Sequence, residues 1–483
     1  MRARFFLLAA ALIAFGTSLG SGFHFDDYAI FSDPVLASAR GAIDVWAPRQ
    51  TRPLTYFTFW LNRQIGAGDP LGYHLFNLLL HLGVILLALE CLRRLLPERA
   101  AWIATAIFAI APIQSEAVDY IWARSILLAT LLCLAALHEW LNGRPWIAVL
   151  WFALALLAKE ECAAFPLFLA WLEWRKALPA PRRSKLALAA MLALSAAAGA
   201  HVIWALSVTP GAPGGAQAGI TPLHYLLAQG VVIWRYLQLT LLPYGFTVDP
   251  DIQVAPWLGI AAWALLLAVV AMLLRRRATA PIATWFVAGL ILLLPSSSIF
   301  PVADLSADRR MYLPLFAFAA AAAIPLARIR QTAVLAAIGV VLLAFSVQRT
   351  VVWMNDASLW QEALDRAPKK LRPKLQLARV LPAAKALDLL AKARLDAPYN
   401  PDIATETGKI LLTEGQADGA LEEFGRALAL SPTDARNVNN RGVALQALGQ
   451  TEAARADFER ALRLDPKLTE ARDNLAKLPA RPQ

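Results

Sequence analysis

Charge is scarce in this chain of 483 residues: only 17% are Asp, Glu, Lys or Arg, where a soluble globular chain carries about a quarter. Mean hydropathy is +0.50. These shortfalls exclude a soluble enzyme and a disordered scaffold. Cysteine is nearly absent as well. The three present, Cys91, Cys133 and Cys162, all fall inside apolar runs, so a disulfide framework or a Cys-rich metal site has no material to build on. What the chain has in quantity is apolar sequence, 58% of all residues. It is gathered in many runs of about 20 residues, the mark of a polytopic membrane protein.

The net charge of +11 is unevenly shared. Residues 355–483 hold 20 Lys and Arg against 18 Asp and Glu, a net of +2, and the preceding 354 hold 26 against 17, a net of +9. The excess belongs to the apolar part, where basic joints beside spans set orientation, and it does not call for nucleic acid as a partner.

Two regions follow, 1–350 and 351–483. The first alternates apolar runs with short polar joints. The second is amphipathic and has a period: Pro398, Pro432 and Pro466 are spaced by 34 residues. Gly408 and Gly442, Ala420 and Ala454, Phe424 and Phe458, and Ala427 and Ala461 repeat with the same shift. A 34-residue helix–turn–helix is the tetratricopeptide pattern. Small residues let paired helices approach, Phe fills between them, and Pro stops the second helix. Two repeats match well; one ending at Pro398 is degenerate, and Leu359-Trp360 through Pro368 reads as half of another. The fold class is therefore all-α: a helical membrane bundle followed by a short α-solenoid.

Spans are expected near 4–22, 71–92, 100–117, 121–140, 145–158, 162–174, 186–206, 257–274, 281–299, 312–327 and 331–349, eleven in all. Basic joints lie at Arg2/Arg4, Arg93/Arg94/Arg99, Arg144, Arg175–Lys185, Arg275–Arg277 and Arg328/Arg330. If all face the cytoplasm, 145–174 is a hairpin of two short helices, and 223–243, with His224, Gln229, Arg235 and Gln238, lies at the interface or re-enters. The repeats then stand on the non-cytoplasmic side. Gly20-Ser-Gly22 is a poor cleavage signal, so the first run reads as a retained span.

With that topology the unusual polar residues share the outer face. They are Asp26-Asp27, Arg52, His74 with Asn77, Glu116, Arg124, Lys159-Glu160, Arg235 and Asp308-Arg309 with Tyr312. Each has a plain structural reading: Asp26-Asp27 as a helix cap, Glu116 paired with Arg124, His74 and His81 as packing residues, Lys159-Glu160 as a turn. Six separate joints supplying both signs on one face point to a site holding an acid or base together with an anion.

Several motifs carry a family likeness. They are the acidic pair after the first span, Arg52-Pro53-Leu54, Gly72-Tyr73-His74-Leu75-Phe76-Asn77, Ser115-Glu116-Ala117-Val118 with Arg124 eight residues past the Glu, Ala158-Lys159-Glu160, and Asp308-Arg309 before Tyr312-Leu313-Pro314. Their order, followed by the repeats, resembles the transmembrane and tetratricopeptide-repeat-containing proteins, grouped with the GT-C fold glycosyltransferases. The likeness runs from about residue 20 to about residue 470. Two departures stand out: Asp308 sits where the late motif usually has Glu, and the repeat array is short.

The resemblance implies transfer of a sugar from a polyprenyl-phosphate donor to a hydroxyl acceptor, protein or glycan, on the non-cytoplasmic face of what is expected to be a bacterial inner membrane. Direct displacement inverts the anomeric centre. The residues fit that chemistry on their own terms. A carboxylate of the first outer loop, Asp26 or Asp27, takes the acceptor proton. Arg235 and Arg309, with Arg52, Arg124 and Lys159 in reserve, neutralise the leaving phosphate. Glu116, His74, Glu160, Asp308 and Tyr312 support them, and a divalent metal would fall to Asp26, Asp27 and Glu116. By repeat position, Lys409, Arg436, Asn439 and Gln446 line an acceptor or protein-partner groove. The alternatives are a non-catalytic membrane-anchored repeat scaffold for envelope assembly, and an O-antigen polymerase or ligase. The latter would carry its Arg and His residues in a large late loop, and the 300–312 joint is short.

Overall fold

The computed structural model describes residues 2–66, 68–178, 184–208, 219–302 and 304–479. Arg182 and Arg183, inside one expected basic joint, lie outside the described residues. All regular elements among the described residues are helical. The chain forms two compact units, one of residues 1–248 with 252–355, the other of 249–251 with 356–483.

The first unit is a bundle whose helices differ sharply in what surrounds them. The segment Ile121–Leu141 is 78% buried over its apolar window, and Pro70–Leu95 is 56% buried. Ser184–Val208, Pro256–Arg275 and Thr332–Val352 are equally apolar but only 11%, 17% and 17% buried. Helices apolar all round and left uncovered by protein are covered by lipid, so the chain is a membrane protein. Packing rests on small residues at close crossings. A Cβ on Gly259 would lie 2.7 Å from Leu227, and one on Gly289 would lie 2.8 Å from the ring of Phe318.

The expected spans correspond to helices of unequal length. Among the described residues five helices are long and apolar enough to cross a bilayer, and the bent pair Glu98–Ile110 with Pro112–Asp119 makes a sixth. Pro145–Ala158, Arg277–Leu293 and Arg4–Gly20 are shorter. The expected span 100–117 is broken at Pro112, which starts a new helical segment, whereas the expected 145–158 and 162–174 correspond to the helices Pro145–Ala158 and Phe165–Trp174. The stretch 223–243 forms one helix, Pro222–Leu241, capped by Thr221 and packed on Pro256–Arg275.

One end of this bundle collects the basic joints. Arg4 meets Glu90, Arg99 donates to the carbonyl of Ile329, and Arg175 donates to Thr284. The helices then run to an opposite end where the acidic and basic loops meet.

The second unit alternates paired helices. Gly408 and Gly442 lie so close to Phe424 and Phe458 that a Cβ would come within 2.8 Å and 2.6 Å of the rings. Gly415 and Gly449, also 34 apart, close the intervening turns at φ of +75° and +74°, a conformation glycine adopts without penalty. Phe424, Phe458, Ala420, Ala427, Ala454 and Ala461 are all fully buried. The half-repeat forms the helix Asp356–Arg366 on buried Leu359 and Trp360, and the degenerate repeat forms Leu371–Ala378 and Ala383–Asp396. Lys370 donates to Asp249 at 2.6 Å, which ties residues 249–251 to this unit.

Candidate active site

The loop after the first helix is built on Asp27. Its carboxylate is fully buried and accepts the backbone N–H groups of His24 at 2.9 Å and Trp122 at 2.7 Å. Phe25 takes a left-handed φ of +37°, a strained setting for a residue with a Cβ. Burial pushes Asp27 up to about 7, against the lowering effect of those two N–H donors. Asp26, next to it, is exposed. Its Oδ2 accepts from the Tyr120 hydroxyl at 3.0 Å, and the Tyr120 hydroxyl oxygen accepts from the Asp26 N–H at 3.3 Å. Both residues lie in a helical turn, Asp26 at the start of Asp27–Ser32 with no capping bond from its side chain.

Tyr120 links this loop to the cations. The Arg309 guanidinium stands 6.0 Å from its ring centre. Arg309 in turn holds Glu116 twice: the backbone N–H donates to Oε2 at 3.1 Å, and the guanidinium pairs with Oε1. Three further pairs surround this one. Arg235 donates to Asp308 at 2.5 Å and to Ser306 at 3.2 Å. Arg52 grips Glu160 through two nitrogens at 2.9 Å and 2.5 Å. Lys159, almost wholly buried, meets Glu161 at 3.2 Å. Burial works against the charge of Glu160, yet Arg52 holds it down at about 2. For Lys159, burial lowers the pKa most, and the Arg52 and Arg309 charges lower it further, while Glu161 and Glu160 raise it.

The cations are thus neutralised by carboxylates, and one donor is left over. Among the described residues, Arg235 Nη2 is buried without a hydrogen-bond partner. A buried guanidinium nitrogen lacking an acceptor is costly, and an anionic oxygen relieves that cost.

Three sequence expectations need correction. Arg124 is committed to the protein's own acceptors rather than open to an anion. It is fully buried, donates to Asn77 at 2.9 Å, Asn62 at 2.5 Å and the carbonyl of Tyr73 at 3.0 Å, and lies between the rings of Phe59 and Phe76 at 4.6 Å each. Every direction a phosphate could approach from is filled. Glu116 pairs with Arg309 rather than Arg124, because the chain turns extended at Tyr120, ψ 118°, and breaks the helical spacing between them. Tyr312 faces the core, where its hydroxyl pairs with His81 Nδ1 at 2.6 Å. His74 packs with Nε2 against the carbonyl of Gly22 at 3.1 Å.

Asp26, Asp27 and Glu116 do not fit a shared metal. Asp27 is occupied by two backbone donors, Glu116 by Arg309 and Asp26 by Tyr120. Among the described residues no three His, Cys, Asp or Glu side chains gather at metal-binding range.

Sequence reading passed over Tyr120, Glu161 and Arg310. Glu161 follows Glu160 and Arg310 follows Arg309, so a charge in a joint already rich in charge was the available signal for those two, whereas Tyr120, uncharged and four residues past Glu116, gave none. Arg310 donates to the carbonyl of Asp304 at 2.8 Å and holds the late loop.

In the repeat unit, Lys409, Arg436 and Asn439 share one polar cavity of about 280 Å³ with Arg379, Glu406 and Asn440. Gln446 is exposed outside that lining, a correction: it falls late on Ala435–Ala447, beyond the turn that faces the cavity.

Comparison with known proteins agrees with the repeat region. The tetratricopeptide repeat family model matches residues 439–468. The chain is 32% identical over 136 residues to the protein O-mannosyl-transferase TMTC3 of Mus musculus, covering 25% of this chain and 15% of that protein. It is 31% identical over 182 residues to the protein O-mannosyl-transferase Tmtc1 of Drosophila melanogaster, covering 33% and 21%. These matches span about a fifth or less of the relatives' own length. Among solved structures, the Archaeoglobus fulgidus oligosaccharyltransferase tethered with an acceptor peptide aligns over 80% of this chain and 58% of that one, at 15% identity and a TM-score of 0.37.

Proposed function

We propose that the chain is a membrane glycosyltransferase that moves a sugar from a polyprenyl-phosphate donor to a hydroxyl acceptor on the non-cytoplasmic face, with inversion. The observation that carries this reading is the exposed carboxylate of Asp26, fixed by Tyr120 and set in one polar cluster with Arg309. Its curated relatives are named as protein O-mannosyl-transferases. Mannose is therefore the first sugar to test and a protein Ser or Thr the first acceptor.

Each element of the reaction has a residue. Asp26 takes the proton of the acceptor hydroxyl as that oxygen bonds to carbon 1 of the sugar. The bond from carbon 1 to the phosphate oxygen breaks, and the lipid phosphate leaves with the electron pair. The leaving anion needs charge neutralisation more than a proton, and Arg235 Nη2 offers a donor that no protein group uses. Glu116 and Asp308 hold Arg309 and Arg235 in place before the anion arrives. The cavity in the repeat unit, with Lys409, Arg436 and Asn439, receives the polypeptide acceptor or a protein partner.

The test is incorporation of radiolabelled mannose from polyprenyl-phosphate mannose by membranes holding the protein or its Asp26→Asn variant. Transfer by the unchanged protein that falls about 10²–10⁴-fold in the variant is expected for a lost general base. Equal transfer by both removes Asp26 from the mechanism. No transfer from any polyprenyl-phosphate sugar favours the scaffold.

A further inference from the structure

At the end of the first unit away from Asp26 lies a cavity of about 680 Å³, within the size range of ligand sites. The helix Glu98–Ile110, 13 residues long, starts at this cavity and ends beside the Glu116 segment, a distance of about 20 Å at 1.5 Å per residue. The cavity is therefore separate from the candidate active site.

Its wall carries Arg175, Lys176, Arg277 and Arg328, and no Asp or Glu. Among the described residues none of the four is paired with a carboxylate. The acids nearest in sequence are turned elsewhere: Glu98 lies 3.8 Å from Arg93, and Glu173 accepts from Trp140 at 3.1 Å. Arg175 is pinned, donating to Thr284 at 3.2 Å and standing 5.7 Å from the ring centres of both Trp171 and Trp174. Lys176, Arg277 and Arg328 are exposed.

Helix-end electrostatics favours cations at these positions but supplies no counter-charge for them. Arg175 and Arg328 follow the C-terminal ends of Phe165–Trp174 and Tyr312–Leu326, where cations are favoured. Arg277 follows the C-terminal end of Pro256–Arg275 by two residues and opens the short turn Arg277–Thr279 that leads into Ala280–Leu293, whose Ala280 and Pro281 also line the cavity. Lys176 occupies a left-handed turn, φ +56°, with its N–H on the carbonyl of Glu173 and the next N–H on that of Leu172. Glycine is the usual occupant of that seat. The remaining wall is apolar: Leu95, Leu96, Ile324 and Trp285.

We propose that this cavity seats the phosphodiester headgroup of an anionic membrane lipid. Four cations face the phosphate, and the apolar wall faces the acyl chains. Basic pockets between membrane helices have the chemistry such headgroups require. A soluble phosphate would meet the cations alike but would leave the apolar wall unused, so the lipid is the source we commit to.

The full-length protein, delipidated and returned to nanodiscs, is to be analysed by native mass spectrometry with phosphatidylglycerol or phosphatidylcholine supplied in turn. The expected result is one retained phosphatidylglycerol, with retention reduced tenfold or more in the triple variant Arg175→Gln, Arg277→Gln, Arg328→Gln. If that variant fails to fold, the exposed pair Arg277→Gln, Arg328→Gln replaces it and should lower retention at least threefold. Undiminished retention in the variants overturns the proposal. So does equal retention of phosphatidylcholine, which would place binding on the acyl chains alone. Competition by inorganic phosphate without any lipid retention would overturn the lipid source.

Discussion

The Tyr120 hydroxyl closes a small ring with Asp26, donating to its Oδ2 at 3.0 Å and accepting from its N–H at 3.3 Å. This fixes the one exposed carboxylate of the loop without burying it. Tyr120→Phe removes both bonds. A hydrogen bond to a charged group is worth about 1.5–3 kcal/mol, so transfer should fall roughly ten- to a hundredfold, less than for Asp26→Asn. The comparison is made in the same radiolabel assay, and a Tyr120→Phe protein as active as the parent would show that Asp26 needs no such support.

Asp27 is expected to act on stability rather than on chemistry. Both carboxylate oxygens face backbone N–H donors, and Asn would present an NH₂ group to one of them. Asp27→Asn should therefore destabilise the first unit by about 1–3 kcal/mol, seen as a lower melting temperature in detergent, whereas Asp26→Asn should melt like the parent.

The same residue gives a pH dependence with a definite sign. Asp27 titrates near 7 in the folded protein, against 3.8 ordinarily. Between those values the folded state keeps a proton that the unfolded chain has released. This contribution to stability is full below about pH 4 and is lost as pH rises through about 7. The parent's melting temperature should fall across that window relative to Asp27→Asn, which lacks the group. Parallel curves for the two proteins would contradict this.

Much of this was legible in the sequence, and the limits follow from distance along the chain. The 34-residue spacing gave the repeat helices directly, because each repeat packs Phe424 on Gly408 or Phe458 on Gly442 within its own length. The polar joints were visible as joints, but their partners were not. Glu116 has Arg124 eight residues ahead and Arg309 at 193, and only the fold shows that it takes the second. Asp26 and Asp27 read alike in sequence. They differ because Trp122, 95 residues on from Asp27, brings its N–H to one of them.

Two arginines separate structure from binding. Arg124→Ala strips donors from Asn77, Asn62 and the Tyr73 carbonyl. At about 1–3 kcal/mol for each abandoned acceptor, it should cost roughly 3 kcal/mol or more and sharply lower the yield of folded protein. Arg235→Lys keeps a charge for Asp308 but cannot supply the spare Nη2 donor. Folded protein with about ten- to a hundredfold weaker binding of a polyprenyl-phosphate donor is expected there, measured by competition. Unchanged donor binding would remove Arg235 as the phosphate partner.

Sidedness can be read with cysteine chemistry, because Cys91, Cys133 and Cys162 are all buried. Tyr28 is exposed beside the acidic loop and Arg277 is exposed at the basic end. In intact cells an impermeant maleimide should label Tyr28→Cys and should reach Arg277→Cys only after permeabilisation. The reverse pattern would put the acidic loop in the cytoplasm and end the case for a non-cytoplasmic reaction.

The repeat unit offers the sharpest packing test. Phe458 is fully buried, and its ring leaves 2.6 Å for a Cβ on Gly442, closer than real contacts allow. Phe458→Ala should cost about 3–5 kcal/mol, the range for truncating a buried aromatic. Gly442→Ala asks the opposite of the same contact, forcing the ring to move, and overpacking of this kind costs about 1–3 kcal/mol. Because the two side chains meet, their effects should not add. In the double variant the new methyl occupies space the ring has vacated, so it should be less destabilised than the sum of the singles. Thermal unfolding of the full chain, followed by circular dichroism, gives all four corners of the cycle. Strict additivity would mean that Gly442 and Phe458 do not touch, and that the 34-residue period reflects composition rather than paired helices.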